Sequence, residues 1–377
     1  MSSPAKPRVT FVVPCYNLAH LLGECVDSIL GQSFRELEVI VMDDCSPDNT
    51  PAVAQALAGK DSRVRYVRNE VNLRHLANYN KGIQLASGEY VCVISADDKL
   101  RRPHVVEKFV VLMDSRPEVG FCFCPVMKFR EAGEFALYGS CGDADRVFKG
   151  KDFLLERLFH GNIVPAPAGI ARKSAWERAG LFPLDLPFAG DWYMWCAFAL
   201  DADVGYFAEP MVSYRDHELN MTKFFKERAN LLMADELAVL WRIFHMAEKK
   251  GDPELIAGGR RAIAASYVYR VVAKAQDPEA IGMTVEEFQE SLRKHECAPD
   301  LAAECAAWVF TGLGDHCMGT GDTTKAAAHY ADALKKGRGG FRSVAKYALA
   351  RGGKLGSVVR SAASAVRDGI RGKSRST

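Results

Sequence analysis

Short apolar runs of strand length alternate with stretches that are apolar at three- and four-residue spacing throughout the N-terminal part of the chain. The run VTFVVPCYN (residues 9–17) reads as a strand ending near Pro14, and a periodic stretch carrying Leu21, Leu22, Cys25 and Ile29 follows it as a helix. LEVIVM (37–42) is a second strand. A helix over 50–60, the strand VRYV (64–67), a helix over 76–86 and the strand YVCVISA (90–96) come next. Strands alternating with helices of ordinary length predict an α/β unit built on a mainly parallel, doubly wound sheet. Beyond about residue 221 the spacing is helical throughout, as in ANLLMADELAVLWRIFHMAEKK and RRAIAASYVYRVVAKA. An all-helical C-terminal region is therefore expected.

Two of the predicted strands end in acid pairs, Asp43-Asp44 and Asp97-Asp98. The mouth of an open parallel sheet is where ligands bind, and carboxylates closing two apolar strands suit a metal-bridged diphosphate. The competing reading is that these acids cap the helices that follow them. A third acid, Asp191, opens the aromatic stretch FAGDWYMWCAFAL and admits the same two readings.

The segments VTFVVPCYN, LEVIVMDDCSPDNT, NLRHLANYNKG and YVCVISADD, with the chain around them over residues 8–218, resemble the glycosyltransferases of family 2, which have the GT-A nucleotide-sugar-binding fold. That resemblance implies inverting transfer of a sugar from a nucleotide diphosphate donor. It assigns Asp43 and Asp44 to the nucleoside, Pro14 and Tyr16 to the base and ribose pocket, and Asp97, beside Asp98, to a Mg²⁺ or Mn²⁺ ion. Ser95 stands where the family's metal motif commonly has its first acid. Gly190-Asp191 replaces the usual Glu-Asp pair, leaving Asp191 as the catalytic base. Arg74 and Asn80 fall in the region that closes over the donor, and Arg215 and His217 would meet the diphosphate, with His217 also reaching the metal. Gly169, Trp192 and Tyr193 are assigned to the acceptor side, although either Trp192 or Trp195 could be simple packing.

The domain boundaries expected are 1–220 for the catalytic domain, 221–340 for a helical region containing one tetratricopeptide-like hairpin, and 341–377 for a basic amphipathic tail. With 377 residues and 48% hydrophobic content the chain can bury a catalytic core and a second unit. Charge is informative only when divided: residues 335–377 carry a net +11, so the rest carries −9 of the total +2. The tail would suit an anionic membrane surface or remain a solvated extension. It lacks the aromatic interleaving of a nucleic-acid platform, so no nucleic-acid partner is expected. Eleven cysteines without a CxxC pair argue for reduced thiols. No apolar run approaches the roughly 18 residues of a spanning helix. The expected location is cytoplasmic, or peripheral at the inner face of the cell membrane.

The function expected from these residues is metal-assisted transfer of a sugar, from a UDP-sugar, to a hydroxyl of a glycan or lipid-linked glycan in surface polysaccharide synthesis. A sugar nucleotidyltransferase is the alternative with a similar sheet, but it calls for a Gly-rich basic loop after the first strand, and PCYNLAH is not one. A catalytically silent nucleotide-sugar-binding module is the other alternative.

Overall fold

The computed structural model describes residues 6–218, 220, 221, 223, 228–336, 346, 347 and 350. The expected basic tail over 341–377 therefore lies almost wholly outside the described residues. The chain divides into two compact units, Met1–Leu255 and Ile256–Thr377.

In the first unit the chain runs β1 (Val9–Cys15), α1 (Ala19–Leu30), β2 (Leu37–Asp43), α2 (Thr50–Lys60), β3 (Val64–Arg68), α3 (His75–Leu85), β4 (Tyr90–Val93) and β5 (Lys99–Leu100). It continues through α4 (Val105–Ser115), β6 (Val119–Phe123), β7 (Val126–Arg130), β8 (Gly133–Tyr138), β9 (Arg146–Phe148), α5 (Gly150–Glu156) and β10 (Gly169–Arg172). The unit closes with α6 (Lys173–Ala179), α7 (Gly190–Asp201), β11 (Asp203–Tyr206), β12 (Val212–Arg215) and α8 (Ala229–Lys250).

One sheet has the order β3-β2-β1-β4-β10-β6-β11-β9, and β1 runs parallel to both β2 and β4. Strand β10 enters antiparallel between β4 and β6. A second sheet, β5-β12-β7-β8, stands beside it. Every residue of β1 is buried, as a central strand covered on both faces requires, and this explains its unbroken apolar sequence. Pro14 is tolerated because it lies at the end of the strand, where its carbonyl still accepts from Ala96 N at 3.2 Å. Strand β4 is shorter than expected. After Val93 the chain leaves the regular ladder, although Ile94 N and Ala96 N still bond to Val12 and Pro14 carbonyls.

The helix α1 has no capping side chain of its own; Asp48, from the loop after β2, accepts from Ala19 N at 2.9 Å and also holds Thr50 Oγ1 at 2.6 Å. The first strand-to-helix turn and the second are thereby fastened together. Helix α8 joins the first unit through the buried Asp235, whose Oδ2 accepts from Phe188 N at 2.7 Å and Ala189 N at 3.3 Å, just ahead of α7.

The second unit is helical in its described part, with the latter part of α9 (Pro253–Gln276), then α10 (Val285–Lys294), α11 (Pro299–Gly319) and α12 (Thr323–Lys335). Thr284 and Glu287 form a reciprocal capping box on α10. The helices α11 and α12 make a hairpin in which the buried Tyr330 ring occupies the space left at Gly314.

Candidate active site

Of the acids predicted from the sequence, Asp43 ends β2 with Asp44 next to it, and Asp97 and Asp98 lie on the segment between β4 and β5. Asp43 is fully buried and saturated: its Oδ1 accepts from Ser46 N at 2.8 Å, and its Oδ2 accepts from Tyr66 Oη at 2.8 Å and Arg68 Nη1 at 2.6 Å. It shapes the loop after β2 rather than facing outward. Asp44, also buried, receives Asn69 Nδ2 and Leu73 N on Oδ1, both at 2.8 Å. Asn69 Nδ2 in turn donates to Asn78 Oδ1 at 2.8 Å, and Asn69 Oδ1 accepts from Lys81 Nζ at 2.7 Å. The Asn69-Asn78-Lys81 support was not anticipated; its only trace in the sequence is polar residues at helical spacing on a face that must be buried.

The Leu73 hydrogen bond draws the start of α3 over Asp44. Arg74 there has φ 65° and ψ 162°, a conformation nearly confined to glycine, and its side chain is exposed. Tyr16, just beyond β1, is likewise exposed at 50%. Asn80, expected near the donor, bonds the backbone of Phe182 through both ends of its amide. Its Nδ2 donates to Phe182 O at 2.8 Å and its Oδ1 accepts from Phe182 N at 2.9 Å, so the amide ties α3 to the segment before α7.

Asp97 Oδ2 lies 2.9 Å from His217 Nε2, while Asp97 Oδ1 is buried with no hydrogen-bond partner among the described residues. Asp98 is buried and accepts from Arg215 N at 2.9 Å. Desolvation first, and the neighbouring Asp97 charge second, push the Asp98 carboxyl well above the usual carboxylate range. The Arg215 guanidinium donates through Nε to the Asp97 carbonyl at 2.9 Å, pairs with Glu24 and stacks over Phe129 at 4.5 Å. Arg215 is thus a clamp between β12 and the end of β4. Asn220 Oδ1 accepts from His217 N at 2.5 Å and its Nδ2 donates to Arg215 O at 3.0 Å, fixing the turn that carries the imidazole.

The carboxyl of Asp191, in the first turn of α7, accepts from Asn162 Nδ2 at 2.9 Å on Oδ2 and from its neighbour Trp192 N at 2.7 Å on Oδ1. Burial raises its pKa to about 6 against these two hydrogen bonds and one from its own backbone N–H, although the residue keeps part of its surface open to solvent. A carboxylate of that basicity is suited to accepting a proton near neutral pH. Gly190 has Leu76 side-chain carbons at 3.3 and 3.4 Å from where a Cβ would stand, so a larger residue would press on α3.

Tyr79, which lies within NLRHLANYNKG but is given no role by the resemblance, spans the two acid centres. Its ring packs edge-on against His75 and Phe182, centroids 5.7 and 5.6 Å apart. Its hydroxyl meets the Ser95 side chain and is raised by burial, and by the charges of Asp97, Asp191 and Asp98.

The three residues expected on the acceptor side each have a packing partner in the protein. The Trp192 side chain is buried and donates through Nε1 to Leu158 O at 2.9 Å, so it belongs to the core. Tyr193 Oη donates to Met246 Sδ of α8 at 3.7 Å. A Cβ on Gly169 would come within 2.3 Å of Trp195 Cη2, so the absence of a side chain there admits the indole.

A divalent hard cation takes carboxylate, phosphate and water oxygens, and needs only one or two protein ligands when a diphosphate supplies the rest. The orphaned Asp97 Oδ1 beside His217 fits that donor set. Among the described residues no cluster of three or more His, Cys, Asp or Glu forms an all-protein metal cage.

Comparison with known proteins agrees with this geometry. Residues 10–177 match the sequence model of Glycosyl transferase family 2. An uncharacterized glycosyltransferase of Haemophilus influenzae is 25% identical over 234 residues, covering 59% of this chain and 70% of that protein. GalNAc(5)-diNAcBac-PP-undecaprenol beta-1,3-glucosyltransferase of Campylobacter jejuni is 41% identical over 96 residues, 25% of this chain and 31% of its own. The crystal structure of S. aureus TarS 1-349 in complex with UDP-GlcNAc superposes with a TM-score of 0.58 at 15% identity, covering 94% of this chain and 92% of that one, a likeness of fold. With its GT-A type sheet, its acid-tipped strands and the match over residues 10–177, the first unit carries the sequence signature of glycosyl transferase family 2.

Proposed function

We propose that this protein is an inverting, metal-assisted glycosyltransferase that moves a sugar from a nucleoside diphosphate to a hydroxyl of a glycan or lipid-linked glycan in surface polysaccharide synthesis. The observation that carries the proposal is the separation of two kinds of carboxylate. Asp97, with a buried oxygen beside His217 that has no partner among the described residues, belongs to one centre, and Asp191, raised to about 6, belongs to another, with Tyr79 between them.

In this reading Asp44 receives the nucleobase. Its Oδ1 is held by Asn69 and Leu73 N, and a carboxylate offers only acceptors, which suits the imide N–H of uracil better than the N3 acceptor of cytosine. Asp97 and His217 would hold Mg²⁺ or Mn²⁺, which supplies charge neutralisation on the departing diphosphate. Asp191 takes the proton of the acceptor hydroxyl as its oxygen forms the new bond to the anomeric carbon. The bond from that carbon to the phosphate oxygen breaks on the opposite face, and configuration inverts. The Campylobacter relative, whose name gives an undecaprenol-linked glycan, supports a lipid-linked acceptor. The +11 charge of residues 335–377 supports attraction to an anionic membrane where such an acceptor resides.

A thermal-shift screen with UDP-, GDP-, dTDP- and CMP-sugars, with and without Mn²⁺, tests the reading. A ligand that binds only the folded state raises the melting temperature with its saturation. Stabilisation by UDP-sugars, enhanced by Mn²⁺, is expected; a flat response to all four classes refutes donor binding.

A further inference from the structure

Two polar residues beside Asp191 are not absorbed by the chemistry above. Asn162 follows Gly161, whose φ of 142° turns the chain sharply, and its groups then face three ways. Nδ2 donates to Asp191 Oδ2 at 2.9 Å, and Oδ1 accepts from Val164 N at 3.1 Å. Its main-chain carbonyl accepts from Tyr138 Oη at 2.8 Å, reaching across from β8. The Asp191 carboxyl is therefore held at both oxygens, by Asn162 on one and by Trp192 N on the other.

Two fixed donors set the plane of a carboxylate and leave its remaining lone pairs to face an incoming hydroxyl. The chemistry of the donor matters as well. A Lys or Arg in the place of Asn162 would stabilise the anion strongly and weaken the base, whereas no donor at all would leave a buried carboxyl protonated at working pH. A neutral amide lies between these extremes. We propose that Asn162 is a positioning residue for sugar transfer, fixing the plane and the basicity of the Asp191 carboxyl, with Tyr138 fixing Asn162. The proposal rests on the reading of Asp191 as the base.

The ionisable groups that feel Asp191 are Tyr79 of α3, Tyr138 of β8 and Cys196 of α7. Burial raises all three, Tyr138 to about 12, so each stays neutral where Asp191 titrates. Asp97 and Asp98 act on Tyr79. Among the described residues Asp191 itself is governed by burial and by hydrogen bonds from Trp192 N, Asn162 and its own backbone N–H, with no cation contributing.

The test is a carboxyl-carbon NMR titration of the full chain, with Asp191→Asn identifying the resonance. Wild type should titrate near 6. In Asn162→Ala the midpoint should rise by about one pH unit, the usual worth of a lost hydrogen bond to a charged acceptor. Asn162→Asp keeps the acceptor for Val164 N and removes only the donor, so it guards against misfolding of the alanine variant; its second carboxyl should raise the Asp191 midpoint at least as far. An unmoved midpoint in either folded variant overturns the role of Asn162. Nucleotide release from a mixture of UDP-, GDP-, dTDP- and CMP-sugars with Mn²⁺, measured at pH 6 and pH 8, runs alongside. Release by the Asn162 variants should fall disproportionately at pH 6, and equal pH dependence to wild type counts against the proposal. No release by wild type condemns the transferase reading alone, since the titration still judges Asn162.

Discussion

His217 Nε2 lies 2.9 Å from Asp97 Oδ2, joining the segment after β12 to the end of β4 across more than a hundred residues of sequence. The other oxygen of Asp97 is buried and has no partner among the described residues. A buried, unsatisfied carboxylate oxygen is costly unless a ligand completes it, and in the proposed function a divalent cation would complete this one.

Asp97→Ala should therefore abolish the part of nucleotide binding that depends on Mn²⁺, and His217→Ala should weaken it. Calorimetry with UDP, with and without Mn²⁺, measures both. Metal-dependent binding equal to that of wild type in the Asp97 variant places the cation elsewhere.

Asp44→Ala should weaken UDP binding equally in the presence and absence of metal, because Asp44 is tied to Asn69 and Leu73 N and not to the Asp97 centre. A loss seen only with Mn²⁺ present contradicts this separation.

For Asp191→Asn, transfer should fall by about 10² to 10⁴, the usual contribution of a positioned general base, with donor affinity unchanged. The wild-type rate should also fall as pH drops through about 6, since a carboxyl raised to that value becomes protonated and can no longer accept the hydroxyl proton. Steady-state rates between pH 5 and 8 check the sign: a rate that rises on acidification rules out a deprotonated Asp191 as the base.

Gly169→Ala should destabilise the first unit by about 1–3 kcal/mol, the usual range for overpacking a filled core, because the added carbon meets the Trp195 indole at 2.3 Å. Urea denaturation of the variant settles it; an unchanged midpoint means that the indole can move aside.

Removal of residues 352–377 should reduce co-sedimentation with anionic vesicles at low salt while leaving sugar transfer to a soluble acceptor intact. Each Lys or Arg near such a surface is worth about 1 kcal/mol and is screened by salt. Equal sedimentation of both proteins would assign the charge no membrane role.

Much of this architecture is legible in the order of residues. Fully buried parallel strands need unbroken apolar runs, and so β1 and β2 announce themselves, as does the alternation with α1, α2 and α3. The acids ending β2 and β4 stand out because charge at the end of such a run is rare. Their division of labour does not. Asp43 and Asp44 are neighbours of one type, yet one is saturated by Ser46, Tyr66 and Arg68 while the other faces Asn69 and Leu73; strand pairing with β3 and the path into α3 decide which is which.

The aromatic stretch of α7 shows the same limit from the other side. Its sequence determines a helix that is apolar nearly all round, and such a helix must be buried, but not which neighbour covers each ring. Only the tertiary structure sends Trp192 to Leu158 and Tyr193 to Met246, and presses Trp195 against Gly169. Asn162, Tyr138 and Tyr79 were invisible as site residues for the same reason. Periodicity reports which face of an element is covered, because that depends on neighbours three or four positions away. The groups around Asp191 come from a loop, an edge strand and α3, and their meeting is a property of the sheet order rather than of any local pattern.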